Sequence, residues 1–222
     1  MADVYADHPF PLIASPAYEG KKLSKAFEPD MFERVAGEMA CVHNMIVRGL
    51  NSIYLQAPHI PLPEVPAFIQ YSLIWYKLVH LHQSCEEPDF FPLIETISGE
   101  TGIMSGNVEQ HHAFQEELVT FYLYLKECAN DPTQFSGNRI LSSIDSFGRV
   151  LVQHLTEEIP TIVGLQRFGV QKMGQLETRF SEDGKKNMVR MPVAVLSSPK
   201  TEESQTGRNG PCGRITLVLL KP

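Results

Sequence analysis

Four histidines, His43, His82, His111 and His154, each fall on the apolar stripe of a separate segment with helical periodicity, and His82 and His154 are each followed four residues later by a glutamate, Glu86 and Glu158. Residues four apart on a helix stand one above the other on the same face, about 6 Å along the axis. Each His-x-x-x-Glu pair therefore offers an imidazole nitrogen and a carboxylate to one spot. Burying either group is costly unless something coordinates or pairs it, so repeated coincidences of this kind need a common cause. A pair of metal ions held inside a four-helix bundle is the simplest. A carboxylate can bridge two ions while each imidazole binds through one nitrogen. The mixture of nitrogen and carboxylate donors suits iron, with manganese second, more than a structural zinc.

The elements that must position these residues are legible as steps of three and four. A first helix from about Pro29 and Asp30 to Leu55 carries Phe32, Val35, Met39, Val42, Ile46, Leu50 and Ile53 on the face of His43. A second, from about Pro66 to Glu87, aligns Phe68, Tyr71, Trp75 and Leu78 with His82 and Glu86, and Pro88 breaks its pattern. The stretch from Phe90 to Gly102 reads as a short apolar turn under the bundle. Residues 105–107, Ser-Gly-Asn, read as the cap of a third helix that ends near Pro132, with Val108, His111, Phe114, Leu118, Phe121 or Tyr122, and Leu125 inside. A fourth helix from about Asn138 to Phe168 aligns Ile140, Ile144, Phe147 and Leu151 with His154 and Glu158, and Pro160 should bend or end it.

Outside these helices, residues 1–29 form a proline-rich N-terminal arm, and residues 169–222 a polar, irregular, partly disordered extension with one more helical turn around Lys172 to Phe180. The extension also holds two apolar snippets, residues 191–196 and 215–220, with a linker-like separator.

Competing assignments remain open. A shift of one residue in the phase of the third helix would exchange His111 for His112. His80 lies nearly opposite His82, and His8 and His59 lie in proline-rich connectors, so these three read as solvated. A ferritin-like design needs Glu-x-x-His on two helices, and only Glu109 with His112 supplies it. A metal-free interaction bundle is the bland alternative, because a lone histidine on an apolar stripe is commonly a core residue bonded to backbone or water. Cys41, Cys85, Cys128 and Cys212 lack C-x-x-C spacing and read as reduced thiols.

The chain has 222 residues and a formal net charge of -7. Without a dense run of Lys or Arg, neither nucleic acid nor an anionic membrane is an expected partner. The acidic, proline-broken N-terminus does not read as a signal peptide, and no apolar run is long enough to span a bilayer, so a soluble, cytoplasmic protein is expected.

Over about residues 30–168 the chain resembles the hemerythrin-like (HHE cation-binding) family, especially its fungal single-domain members. The residues that carry the resemblance are His43 in MACVHNMIVRGLN, His82 and Glu86 in HLHQSCEEPDFFP, His111 in NVEQHHAF, and His154 and Glu158 in QHLTEEIP. The resemblance implies an all-α, antiparallel, up-down four-helix bundle holding two non-haem irons, with Glu86 and Glu158 as bridging ligands. It also implies reactivity toward dioxygen or related diatomic ligands. The oxygen-carrying hemerythrins place a second histidine four residues after the first on the third helix, whereas this chain has Gln115 after His111, or Glu116 if His112 is the ligand. That departure favours dioxygen activation, sensing or iron exchange over reversible carriage. An oxidase or oxygenase acting on a small apolar molecule at the same centre is the second expectation.

Overall fold

The computed structural model describes residues 6–17 and 29–190, with side chains as far as Glu182. Among these residues every regular element is helical. Four long helices, α1 (Met31–Gln56), α2 (Val65–Cys85), α4 (Ser105–Asn130) and α5 (Gly137–Gly164), alternate with short elements, of which α3 (Phe91–Ser98) follows a π-helical turn at Glu86–Phe90. Two further helices, α6 (Val170–Met173) and α7 (Gln175–Arg190), end the described chain. α1 packs on α2 and α5, and α4 packs on the same two helices, so the four close a ring around one core.

Local chemistry sets the ends of these helices. Asp30 accepts the Glu33 amide at 2.8 Å while the Glu33 carboxylate accepts the Asp30 amide at 3.3 Å, a reciprocal cap where the sequence places the first start. α5 starts on Ser136, whose hydroxyl oxygen accepts the Arg139 amide. The expected cap at Ser105 and Asn107 is not formed: Met104 holds the N-cap position with no side-chain bond, and Asn107 is instead buried. Pro160 does not end α5, which runs four residues further before a 3-10 turn at Leu165–Phe168.

The apolar faces match the expected stripes on α4 and α5 more closely than on α2. Tyr71 is exposed and Leu78 half-buried, while Ile69, Leu73 and Val79 are buried. α2 contacts α1 on one side and α4 on the other, so its buried strip is wider than a single i, i+3, i+4 row and is shifted from the one expected. Trp75 locks α2 to α1. Its indole Nε1 donates to the Ile46 carbonyl at 2.9 Å, and a Cβ placed on Gly49 would sit 2.4 Å from its Cδ1. Only glycine lets the ring approach that closely.

Two segments are more helical than expected, although the one helical turn expected around Lys172 to Phe180 falls within the second. Phe91 and Ile94 are buried on a helix, where a short turn was expected. Beyond Gly169 the chain is helical through Arg190, with Met173 and Leu176 buried and Arg34 of α1 holding Glu177 at 2.7 Å. Both snippets of the extension, 191–196 and 215–220, lie outside the described residues. Residues 6–17 of the arm lie on a polar stripe of α1: Asn51 donates to the Ala6 and Phe10 carbonyls and accepts the Phe10 amide, Asn44 pairs with both backbone groups of Ile13, and Arg48 meets Asp7. Of the cysteines, Cys128 is a buried free thiol as expected, whereas Cys41 is disulfide-bonded, a pairing that spacing along the sequence does not reveal. Among the described residues no helix is long and apolar enough to cross a membrane.

Candidate metal centre

Each long helix delivers one histidine to a single point in the core: His43 from α1, His82 from α2, His111 from α4 and His154 from α5. Glu158 lies one turn after His154, and Glu86 opens the π-helical turn just past α2. The side chains of His43, His111, His154, Glu86 and Glu158 are at most 4% exposed and that of His82 is 9% exposed, so all six sit behind the surface.

The histidines fall into two pairs. His43 and His82 have ring centroids 4.9 Å apart, and His111 and His154 have theirs 4.3 Å apart. Each carboxylate stands between the pairs. Glu86 puts Oε1 3.1 Å from His82 Nε2 and Oε2 3.5 Å from His111 Nε2. Glu158 puts Oε2 3.4 Å from His43 Nε2 and 3.9 Å from His154 Nε2. The donor atoms form two overlapping groups, His43, His82, Glu86 and Glu158 in one and Glu86, His111 and His154 in the other, with the atoms of each group within 4.8 Å of one another. These side chains could hold metal ions.

The outer nitrogens of the rings are committed. His43 Nδ1 lies 2.7 Å from the Leu155 carbonyl, His111 Nδ1 2.7 Å from Glu87 Oε1, and His154 Nδ1 3.1 Å from Gln110 Oε1. All three partners are acceptors, so each Nδ1 donates its hydrogen outward. The amide of Gln110 is itself oriented, since its Nε2 donates to Glu157, which also accepts from Gln153. In a neutral ring bonded in this way the inner Nε2 carries only a lone pair. His111 Nε2 and His154 Nε2 then face each other at 2.9 Å with like polarity.

The inner atoms lack partners in the same way. His43 Nε2, His82 Nε2 and all four carboxylate oxygens of Glu86 and Glu158 are buried without a hydrogen bond. The 3.1 Å approach of His82 Nε2 to Glu86 is out of line for one. Leaving a buried polar group unsatisfied costs about 1–3 kcal/mol, and more for a charged group. A cluster of buried nitrogens and carboxylate oxygens without hydrogen bonds, aimed inward at one another, could hold a cation.

Electrostatics follow the same pattern. Burial first, then the Glu158 carboxylate beside it, raises the Glu86 carboxyl well above the usual range. Burial, reinforced by the neighbouring histidines, lowers His82 well below its usual value and lowers His154 to about 2. These imidazoles are held neutral, as a metal ligand must be.

The six residues expected from sequence are thus brought together, and His112, the rival of His111, is exposed, as is His80. Sequence reasoning missed Glu87, Gln110 and Glu157. Each directly adjoins an expected site residue (Glu86, His111 and Glu158), at the edge of the apolar stripe, and that adjacency was the available signal.

No protein family matches the chain in a scan of family profiles, and no solved structure matches it. Over 175 residues the chain is 28% identical to the dimeric xanthone biosynthesis cluster protein R11 of Cryptosporiopsis sp. (strain 8999), an alignment covering 78% of this chain and 64% of that protein. The chain therefore spans under two thirds of the relative's length.

Proposed function

We propose that this chain is a non-haem di-iron protein of the hemerythrin-like type, an antiparallel, up-down four-helix bundle that handles dioxygen, nitric oxide or iron itself. The observation that supports it most is the placement of the four unpartnered oxygens of Glu86 and Glu158 between two pairs of histidines. In this reading His43, His82, Glu86 and Glu158 would hold one ion, and His111 and His154 with Glu86 the other. Iron is favoured over manganese by the four nitrogens in the donor set. A bound iron pair supplies two electrons and an open coordination position for a diatomic ligand. Gln115, half-buried one turn after His111, stands where an oxygen carrier has a further histidine. The protein's own part is to keep His82 and His154 neutral, to orient His43, His111 and His154 through their outer nitrogens, and to exclude water with Phe91 and Phe114 around the His111 and His154 rings.

A second reading, an oxidase or oxygenase acting on a small apolar molecule, draws support from the relative's name, which ties that protein to a biosynthesis cluster. A metal-free interaction bundle accounts for none of the unpartnered inner atoms. The expected setting is the cytoplasm. The test is metal analysis of protein purified without oxygen, followed by an optical spectrum on air exposure. Two irons per chain and an oxygen-dependent band support the first reading, and multiple-turnover oxidation of an added small aromatic molecule would favour the second. Protein that takes up no iron refutes both.

A further inference from the structure

Consecutive residues on an α-helix point about 100° apart, so two neighbours seldom serve one ring. Glu86 and Glu87 do so here. Glu86 Oε2 lies 3.5 Å from the inner Nε2 of His111, and Glu87 Oε1 lies 2.7 Å from its outer Nδ1. The π-helical turn at Glu86–Phe90 makes this possible, because its wider winding keeps both side chains on the α4 side while Phe90 and Phe91 are both buried.

The partners of the outer nitrogens of His43 and His154 are weaker. His43 donates to a backbone carbonyl and His154 to the amide oxygen of Gln110, both neutral groups. A carboxylate behind a ligating imidazole fixes its tautomer and raises its basicity more than a neutral acceptor does. Among these three rings only His111 has a charged outer partner, and that partner is a residue whose side chain is 39% exposed.

Resting on the di-metal reading above, we infer that Glu87 is a positioning residue for the His111 and His154 half of the centre and strengthens metal binding there. It touches no bound ion. It acts through His111, holding Nε2 inward and strengthening it as a donor.

The test titrates the metal-free, full-length protein with Co(II) against a competing chelator, following the visible absorption of each half-site. The parent should take up two ions per chain in two separable steps. Glu87→Ala should weaken one step roughly 10–100-fold, the usual cost of losing such an outer partner, and move the other step by less than about threefold. Glu87→Gln keeps an acceptor in place without the charge and should fall between Ala and the parent. A merely structural role would weaken both steps alike, and a thermal midpoint of the metal-free variant equal to the parent's separates loss of fold from loss of positioning. Both steps unchanged in Glu87→Ala, or both weakened equally, overturns the inference and leaves the di-metal reading standing. A parent that takes up no Co(II) sinks that reading and this inference with it.

Discussion

His111 and His154 meet nitrogen to nitrogen at 2.9 Å, each with its far side already donating to a fixed oxygen. Two imidazoles arranged like this have no hydrogen left to share, so they gain from the arrangement only when a cation lies within reach of both. The first prediction concerns what holds that cation.

His82→Ala and His154→Ala should each cut bound metal at least roughly tenfold, since each removes one nitrogen of a pair that shares an ion. His80→Ala, on the exposed side of α2, should leave metal content at the parental level. Elemental analysis of the three purified variants decides the matter. Metal loss in His80→Ala with retention in His82→Ala would mean that α2 is turned differently.

Removing metal should destabilise the fold. An ion present at 100 times its Kd stabilises by about 2.7 kcal/mol, and its loss leaves Glu86 and Glu158 facing each other in the core. Chelation should lower the thermal midpoint by several degrees, and an unchanged midpoint after verified removal would count against a metal centre.

The metal-free form should also have a distinctive pH profile. Glu86 is raised above 4.5 by burial, so above that pH the unfolded chain gives up a proton that the folded one keeps, and stability falls as pH rises until the raised value is passed. His82 and His154 are depressed from 6.5, so as pH drops through that value the unfolded chain gains two protons that the folded one refuses, and stability falls again. The midpoint of the metal-free protein should therefore fall as pH drops below about 6.5, where two histidine protons outweigh the one on Glu86. Metal binding should release a proton from Glu86 at any pH below its raised value and none from His82 or His154 near neutral pH, which calorimetric titration in two buffers of different ionisation enthalpy would reveal. A midpoint that holds level as pH drops from about 6.5 to about 5 would contradict the depression of the two histidines.

Gln115→His places a nitrogen one turn beyond His111. It should tighten metal binding and slow any reaction that needs an open position. If affinity and oxidation rate both match the parent, position 115 does not face the centre.

At the contact between α1 and α2, Gly49→Ala should destabilise by about 1–3 kcal/mol through overpacking against Trp75, outweighing the gain of about 1 kcal/mol in helix propensity. Denaturant melts would show it, and a stabilised variant would mean that Trp75 has room to move.

The clustering of these six side chains was readable from sequence because burial and chemistry coincide on one face: a histidine in step with Ile144, Phe147 and Leu151 has to go where they go. The same logic is silent on Glu87, Gln110 and Glu157, which are polar residues at the stripe edge, where solvation is the ordinary fate. Tyr71 misled for a related reason, since a helix packed against two neighbours buries a strip too broad for a single row of apolar positions to define. α3, α6 and α7 were underestimated because short or polar segments take their helicity from the surface they dock on, here through Phe91, Ile94, Met173 and Leu176.

The stripe formed by Asn44, Arg48 and Asn51 has a practical bearing on how the protein can be handled. It satisfies backbone groups of Ala6, Phe10 and Ile13, and Asn44 directly follows His43 on α1. Trimming the chain to its first helix would strand two amide side chains beside a ligand helix and bare the Gly148 notch that Phe10 fills. Versions shortened to begin near residue 30 should therefore melt earlier and lose metal faster than the full chain, even though no ligand has been removed.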